Sequence, residues 1–388
     1  MAVLTAAPDD PHQLQAALLR AMDAAGPAVL VGADPEDPRL TRGASAAPPD
    51  DTALPDDTAL REDTALVLAT SGSTGVPKLV ALGASALTAA ARATSERIGE
   101  GAWVLALPPT RIAGIQMLVR AGLAGQAVIV PEAPGAAGFL AATAALPSGV
   151  RAYTSLVPAQ LAALVGEAPA ALARYEAVLV GGQRTPPDLV AAATAHGIRL
   201  VRTYGSTETA GGCVYDGAPL DGVRARIDEA GQVLLAGPML ASGYIGDPDR
   251  TRAAFPVVGD ERWYRTGDLG ELSPEGILRV TGRGDNVIVS GGVNVSLDRV
   301  EELVRGVPSL ADAVVVAVDD ARWGQASVIV TATGSPADLD AARRTVGDVL
   351  GREARPRALR EVESIPLLSS GKPDRQALRE AAARPGRQ

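Results

Sequence analysis

A single cysteine, Cys213, stands in this 388-residue chain, which excludes an intramolecular disulfide framework and any site built on several thiolates. Histidine is almost as scarce. Only His12 and His196 occur, so a histidine-rich zinc site is excluded too, and neither has a nucleophile-elbow partner of the Ser/His/Asp kind. No apolar run reaches the ~18 residues of a membrane-spanning helix. The start, MAVLTAAPDDPHQ, lacks the cationic and apolar regions of a secretory leader. Blocks of Lys and Arg are missing as well. With 36 basic against 45 acidic residues and a net charge of −9, little favours the phosphate neutralisation that nucleic-acid binding needs. These absences predict a cytoplasmic protein with neither nucleic-acid nor membrane partners, and they leave the oligomeric state open.

Lysine is the scarcest charge. Of the 36 Lys and Arg residues only Lys78 and Lys372 are lysines. An Arg-rich bias replaces Lys wherever charge alone matters, so a lysine that persists marks a place for a compact ammonium rather than a planar guanidinium fork.

Between these scarcities the chain is Ala-, Gly- and Pro-rich and 47% hydrophobic. A helix is expected over Pro11–Ala25, and a six-residue unit is written three times over 49–66, PDDTAL PDDTAL REDTAL, as an acidic connector. The third copy runs into the buried strand Thr64–Thr70. Helices and strands then alternate. Helices are expected at Ala84–Ile98, Ile112–Ala124, Ala136–Ala145, Pro158–Val165 and Pro187–His196. Strands are expected at Trp103–Leu107, Ala127–Val130, Ala177–Val180 and Ile198–Thr203. That alternation predicts an α/β sheet with covered faces. After Tyr204 short strands and Gly/Pro turns predict a β-rich subregion. Beyond Arg283–Gly284 a compact α+β unit follows, with helices at Leu297–Arg305 and Pro336–Leu350. The predicted organisation is a large N-terminal α/β domain, 1–283, and a small α+β C-terminal domain, 284–388.

Four segments carry candidate chemistry. Thr70-Ser71-Gly72-Ser73-Thr74-Gly75-Val-Pro-Lys78 places hydroxyls, glycines and an ammonium after a buried strand, a loop able to surround phosphate oxygens. It is not a Walker A loop, because Pro77 precedes the lysine. Tyr204-Gly-Ser206-Thr207-Glu208 lies at the carboxyl end of a strand, where α/β sheets gather ligands, and Glu208 suits a hard cation such as Mg²⁺. Asp268, in Tyr264-Arg-Thr-Gly-Asp268, can accept two hydrogen bonds from a ribose diol or simply close an Asx-turn, with Arg283 and Asp285 following at the domain boundary. Lys372 sits between Gly371 and Pro373, in a loop that could deliver an ammonium to a phosphoryl or carboxyl group. Cys213 reads as a small buried hydrophobe.

In this order TSGSTGVPK, YGSTE, YRTGD, GRGDNVIVSGGVNVS and IPLLSSGK resemble the acyl-adenylate-forming superfamily over about residues 64–375. The resemblance implies two steps. A carboxylic acid attacks the α-phosphate of ATP to give acyl-AMP and pyrophosphate, then a thiol such as that of coenzyme A displaces AMP. It also implies a small C-terminal domain that rotates between the steps. On the matching positions it implies that Thr70, Ser71, Gly72, Ser73, Thr74, Gly75 and Lys78 hold pyrophosphate, that Gly181 and Gly182 border the adenine, and that Tyr204 lies with the nucleotide. Thr207 matches the α-phosphate contact, Glu208 the Mg²⁺ contact, and Asp268 and Arg283 the ribose contacts. Asp285 matches the hinge, and Lys372 the lysine that drives adenylation. Gly291 and Gly292 match the strand meeting a pantetheine arm, whether of CoA or of a carrier protein.

Within the superfamily the chain is most similar to the o-succinylbenzoate–CoA ligases of menaquinone biosynthesis in their shortened actinobacterial form. The phosphate loop begins early, at Thr70, and Gly211-Gly212-Cys-Val-Tyr-Asp-Gly217 is similar to the segment that follows YG-x-(S/T)-E there. With Ser206, Gly211 and Gly212 the acyl substrate is expected. Arg111 stands where longer members carry His. It would suit a second, unactivated carboxylate bidentately, or else cap a helix on the surface. The alternatives are another aryl or acyl acid–CoA ligase, a carrier-loading adenylating enzyme, or a non-catalytic acyl-AMP-binding protein.

Overall fold

Capping residues decide where the helices begin. Asp10 accepts the Gln13 N–H at 2.8 Å ahead of the Pro11–Met22 helix, and Pro11 has no N–H to leave orphaned. Ser335 and Asp338 cap each other's backbone at the start of Pro336–Leu350, which Gly351 ends at φ +90°. The computed structural model describes residues 4–42, 60–70, 77–320, 322–367 and 373–383. Most of the repeated acidic connector, the interior of the first Gly/Ser loop and Lys372 lie outside the described residues.

The chain divides into two compact units. One comprises Met1–Arg226, Leu234–Thr266 and Leu272–Leu278; the other comprises Ile227–Val233, Gly267–Glu271 and Arg279–Gln388. In the first unit a five-stranded sheet runs Leu4–Ala6, Ala28–Val31, Thr64–Thr70, Lys78–Gly83, Gly243–Tyr244. Its first three strands are parallel, Lys78–Gly83 runs antiparallel to them, and Gly243–Tyr244 pairs antiparallel with Lys78–Gly83. A second, six-stranded sheet runs Ala218–Pro219, Gly211–Tyr215, Leu200–Ser206, Ala177–Val180, Ala152–Leu156, Ala102–Val104. The four strands from Leu200–Ser206 onward are parallel. Val104, Leu156, Leu161, Tyr175, Val178 and Val180 fill the core beside them. Parallel strands covered by helices are the α/β architecture that the alternating pattern predicts.

Two differences from expectation have local causes. Ala127–Val130 makes only one bridge, Ile129 to Val104. The Val128 N–H goes instead to Oε1 of Gln15 at 3.2 Å, and Pro131 has none to offer. Conversely Lys78–Gly83, Ala152–Leu156 and Gly211–Tyr215 are strands the hydrophobic pattern did not single out. They are short and surrounded by glycine, proline and hydroxylated residues.

In the second unit the sheet runs Val293–Ser296, Val287–Ser290, Gly324–Thr331, Val314–Asp320, with Ala358–Glu361 parallel to Gly324–Thr331. Strand alternation sorts its two cores. Val315 and Ile329 meet Val300, Val304 and Val346 of the helices Leu297–Arg305 and Pro336–Leu350. Their neighbours Val314, Val316, Val328 and Val330 meet Leu378 of the last helix, Arg375–Ala383.

Candidate active site

Thr70 and Lys78 are register partners across the antiparallel pair that joins their strands. The two ends of the Gly/Ser loop are therefore pinned face to face. Ser71, Gly72, Ser73, Thr74 and Gly75 lie outside the described residues. Lys78 Nζ stands 4.0 Å from Glu208 Oε1 and 5.1 Å from the ring centroid of Tyr244. The Tyr244 hydroxyl donates to Glu208 Oε1 at 2.9 Å. Burial, and then Glu208 beside it, push the Tyr244 phenol well above its usual range, so it stays a donor. Glu208 Oε2 has no hydrogen-bond partner among the described residues.

That arrangement tests the expected Mg²⁺. No group of three His, Cys, Asp or Glu among the described residues could hold a metal. Magnesium needs none, because it commonly takes one or two carboxylates and completes its shell with water and substrate phosphates. Glu208 Oε2, the oxygen that Tyr244 does not hold, leaves one carboxylate ligand for such a site.

Glu208 is set by a tight local fold. The strand Leu200–Ser206 passes into a 3₁₀ turn, Thr207–Thr209, and Gly211–Tyr215 runs back beside it. The Ser206 N–H donates to Thr209 Oγ1 at 2.9 Å, and the Glu208 carbonyl accepts from the Ala241 N–H at 2.8 Å. Ala210 adopts a left-handed φ of +51°, the kind of strain found where structure over-determines a site residue. A Cβ on Gly205 would lie 2.1 Å from the Gly211 carbonyl oxygen, so the returning strand can approach only because position 205 has none. Tyr204 and Thr207 are half-buried, and Ser206 Oγ is buried with no hydrogen-bond partner among the described residues. Just past the neighbouring strand Ala177–Val180, Gly181 leaves room for Thr203, whose Oγ1 would lie 2.3 Å from a Cβ there, and Gly182 takes φ +79°. Cys213 is buried as expected, and burial pushes its thiol up to about 12.

Arg111 occupies the N-cap position of the helix Ile112–Leu123 but makes no side-chain cap. One stripe of that helix matters more. A Cβ on Gly211 would meet Gln116 Cγ at 3.2 Å and Ile112 Cγ1 at 3.9 Å, and Arg120 follows four residues on along the same stripe. Arg120 is 5% exposed. Its Nε has no hydrogen-bond partner among the described residues, and its guanidinium lies 5.1 Å over the Trp103 ring. Burial lowers its affinity for the proton, and no carboxylate pairs with it among the described residues. In the sequence Arg120 is one arginine among many and carries no mark of burial. Its place in an otherwise apolar helical run, Ile112–Leu123, was the available signal.

The second unit holds the other expected residues. The Arg283 guanidinium binds Asp285 at both oxygens and reaches Asp268 Oδ1 at 3.2 Å. The Arg283 N–H donates to Asp298 Oδ2 at 2.6 Å, and Asn286 donates to Asp298 Oδ1 at 2.7 Å, which fastens the segment to the helix Leu297–Arg305. Gly291 and Gly292, at φ +58° and +82°, form the two-residue turn between Ser290 and Val293. Gly291 also makes room for an indole, since a Cβ there would lie 2.5 Å from Trp323 Cε3. Beside that indole is a cavity of about 430 Å³ lined by Trp323, Arg322, Arg343, Arg352, Arg355 and Arg357, with Asp320 and Glu353 the only acidic residues in its wall. Five arginines against two carboxylates give that wall a net positive charge beside an aromatic face.

The chain's likenesses agree with this chemistry. The AMP-binding enzyme family pattern matches residues 2–245, and that of the AMP-binding enzyme C-terminal domain matches residues 299–372. The chain therefore belongs to the AMP-binding enzyme family. It is 42% identical over 328 residues to a probable 2-succinylbenzoate–CoA ligase of Mycobacterium tuberculosis, covering 81% of this chain and 83% of that protein. Among solved structures it is similar to an o-succinylbenzoate–CoA synthetase of Bacillus subtilis in complex with AMP. That match has 25% identity and TM-score 0.74, and covers 85% of this chain and 71% of the other. An amide bond synthetase of Marinactinospora thermotolerans matches with 27% identity and TM-score 0.72, covering 99% and 80%. The chain is an enzyme of the AMP-forming acid–thiol ligase class. No helix among the described residues is long and apolar enough to cross a membrane.

Proposed function

We propose that this enzyme joins 2-succinylbenzoate to coenzyme A at the expense of ATP, a step on the route to menaquinone. The observation that carries the reading is its long likeness to the Mycobacterium tuberculosis ligase, and the site supplies the means. In the first step a substrate carboxylate attacks the α-phosphorus, the bond to the β-phosphate bridging oxygen breaks, and pyrophosphate leaves. Thr70, Lys78 and the loop between them hold the departing phosphates, Thr207 the α-phosphate, Tyr204 and the Gly181–Gly182 pair the adenosine, and Lys372 the developing negative charge. A magnesium ion bound at Glu208 would neutralise phosphate charge. Asp268 and Arg283 hold the ribose. In the second step the CoA thiol, as thiolate, attacks the acyl carbon and AMP leaves. Gly291 and Gly292 border the pantetheine, and the arginine-lined cavity beside Trp323 takes the phosphorylated nucleotide of CoA. We place the functional boundary between the large domain and its mobile partner at Arg283–Gly284, with Asp285 as the hinge.

The substrate has two carboxylates and only one is activated. Arg111 and Arg120 compete for the other, alongside Ser206, Gly211 and Gly212. Burial favours Arg120, because a desolvated guanidinium without an anion is costly and a substrate carboxylate would relieve that cost. A CoA-thioester assay over a panel of aromatic and aliphatic acids tests the reading. Turnover should centre on 2-succinylbenzoate; equal or better turnover of monocarboxylic acids would reject it. Acyl transfer to amines with no CoA product would make this an amide-forming enzyme instead.

A further inference from the structure

Aromatic residues are rare here, 3% of the chain, yet three of them gather behind the phosphate-binding residues. Tyr244 packs on Phe255 at 5.9 Å, and Phe255 packs on Tyr264 at 5.2 Å. The Tyr244 segment is fastened from several sides. Ser242 and Ile245 donate backbone N–H groups to Ala81 and Leu79 in the Lys78 strand, and Ala241 donates to the Glu208 carbonyl. Arg262 donates to the Ala241 and Ser242 carbonyls at 2.7 and 2.8 Å and covers the Phe255 ring at 4.2 Å. The Tyr244 N–H goes to Thr251 Oγ1 at 2.9 Å. Tyr244 is 2% exposed, so its ring has no freedom to wander. A side chain this well held can act as a fixed reference for its neighbours.

Its neighbours are the ammonium and the carboxylate of the site. Left to themselves Lys78 and Glu208 would close to a short ion pair and neutralise each other, which would spend the cation meant for phosphate and the anion meant for a metal. The structure shows otherwise: the Lys78 Nζ to Glu208 Oε1 distance is 4.0 Å, longer than a charge-assisted hydrogen bond. Glu208 Oε1 is held instead by the Tyr244 hydroxyl, and Lys78 lies against the Tyr244 ring. We propose that Tyr244 is a positioning residue of the nucleotide site, its hydroxyl orienting Glu208 so that Oε2 meets the metal and its ring holding Lys78 apart from Glu208 for the phosphates. This rests on the reading of Glu208 as the metal contact.

Binding of Mn²⁺ followed by electron paramagnetic resonance, in the presence of a non-hydrolysable ATP analogue, tests it on the full-length enzyme. Tyr244→Phe keeps the ring and removes the hydroxyl. Mn²⁺ affinity should fall about tenfold, the worth of one hydrogen bond to a charged group, while metal-free affinity for the analogue and the KM for the acid stay unchanged. Tyr244→Leu, which also removes the ring, should additionally weaken metal-free binding of the analogue. Glu208→Gln is the control. If Glu208→Gln leaves Mn²⁺ binding intact, the metal reading of Glu208 fails. If Glu208→Gln weakens Mn²⁺ binding and Tyr244→Phe, folded by circular dichroism, does not, Tyr244 is merely part of the core and the inference is overturned.

Discussion

Arg283 grips Asp285 two residues along the chain through two parallel bonds, Nε to Oδ1 and Nη2 to Oδ2, each 3.1 Å. The same guanidinium reaches Asp268 Oδ1 at 3.2 Å, so the proposed ribose contact and the proposed hinge share one cation. A ligand that recruits Asp268 and Arg283 would compete with the grip on Asp285, which on the proposed roles would link nucleotide occupancy to the freedom of the hinge.

Fixing the hinge should separate the two steps. Asp285→Pro locks φ near −65° and, if Asp285 is the proposed hinge of a rotation needed for the second step, should spare pyrophosphate exchange more than thioester formation. Unchanged overall turnover would place the hinge elsewhere.

The same pair has a pH signature. The Arg283 hydrogen bonds hold the Asp285 carboxyl below the usual carboxylate range. A folded-state value below the unfolded one adds stability above the unfolded value, near 3.9, and that stability disappears as pH falls through the folded value. Both side chains are half-exposed, so the gain is at most about 1 kcal/mol. The difference in melting temperature between wild type and Asp285→Asn should be constant from neutral pH down to about 5 and vanish in more acid buffer. A difference that grows with acidity would refute the pairing in solution.

Much of this was legible in the sequence because the signals were local. Thr64–Thr70, Ala84–Ile98, Leu297–Arg305 and Pro336–Leu350 form where periodicity and capping place them. The scarcity of lysine picked out Lys78, and the structure brings it to Glu208. What stayed hidden depends on partners distant in sequence. Tyr244 is 36 residues from the carboxylate it holds. Trp323 gains meaning only against Gly291, and Arg120 stands out by having no counter-ion among the described residues, which no sequence pattern displays.

Lys372 should serve adenylation alone. Lys372→Ala is expected to abolish acyl-AMP formation while still converting supplied acyl-AMP and CoA to thioester. Equal loss in both half-reactions, with the fold intact, would remove it from the first step.

The two candidate receptors for the unactivated carboxylate can be told apart by stability and specificity together. Arg120 is buried with no counter-ion among the described residues, whereas Arg111 is half-exposed at a helix start. Replacing a buried, unpaired guanidinium by an apolar chain of similar length removes a desolvation cost, so Arg120→Met should melt no lower than wild type. Losing a charge-assisted pair from a desolvated site costs about 2–5 kcal/mol. Arg120→Met should therefore lower kcat/KM for 2-succinylbenzoate by tens- to thousands-fold, at about 1.4 kcal/mol per tenfold, without moving the ATP KM. An analogue lacking the second carboxylate should be a poor substrate for wild type and no poorer for the variant. Arg111→Ala should cost far less on the diacid. If the large, diacid-specific loss follows Arg111→Ala instead, the receptor is Arg111. If neither variant distinguishes the two acids, no arginine on this helix reads the second carboxylate, and the dicarboxylate assignment loses its structural support.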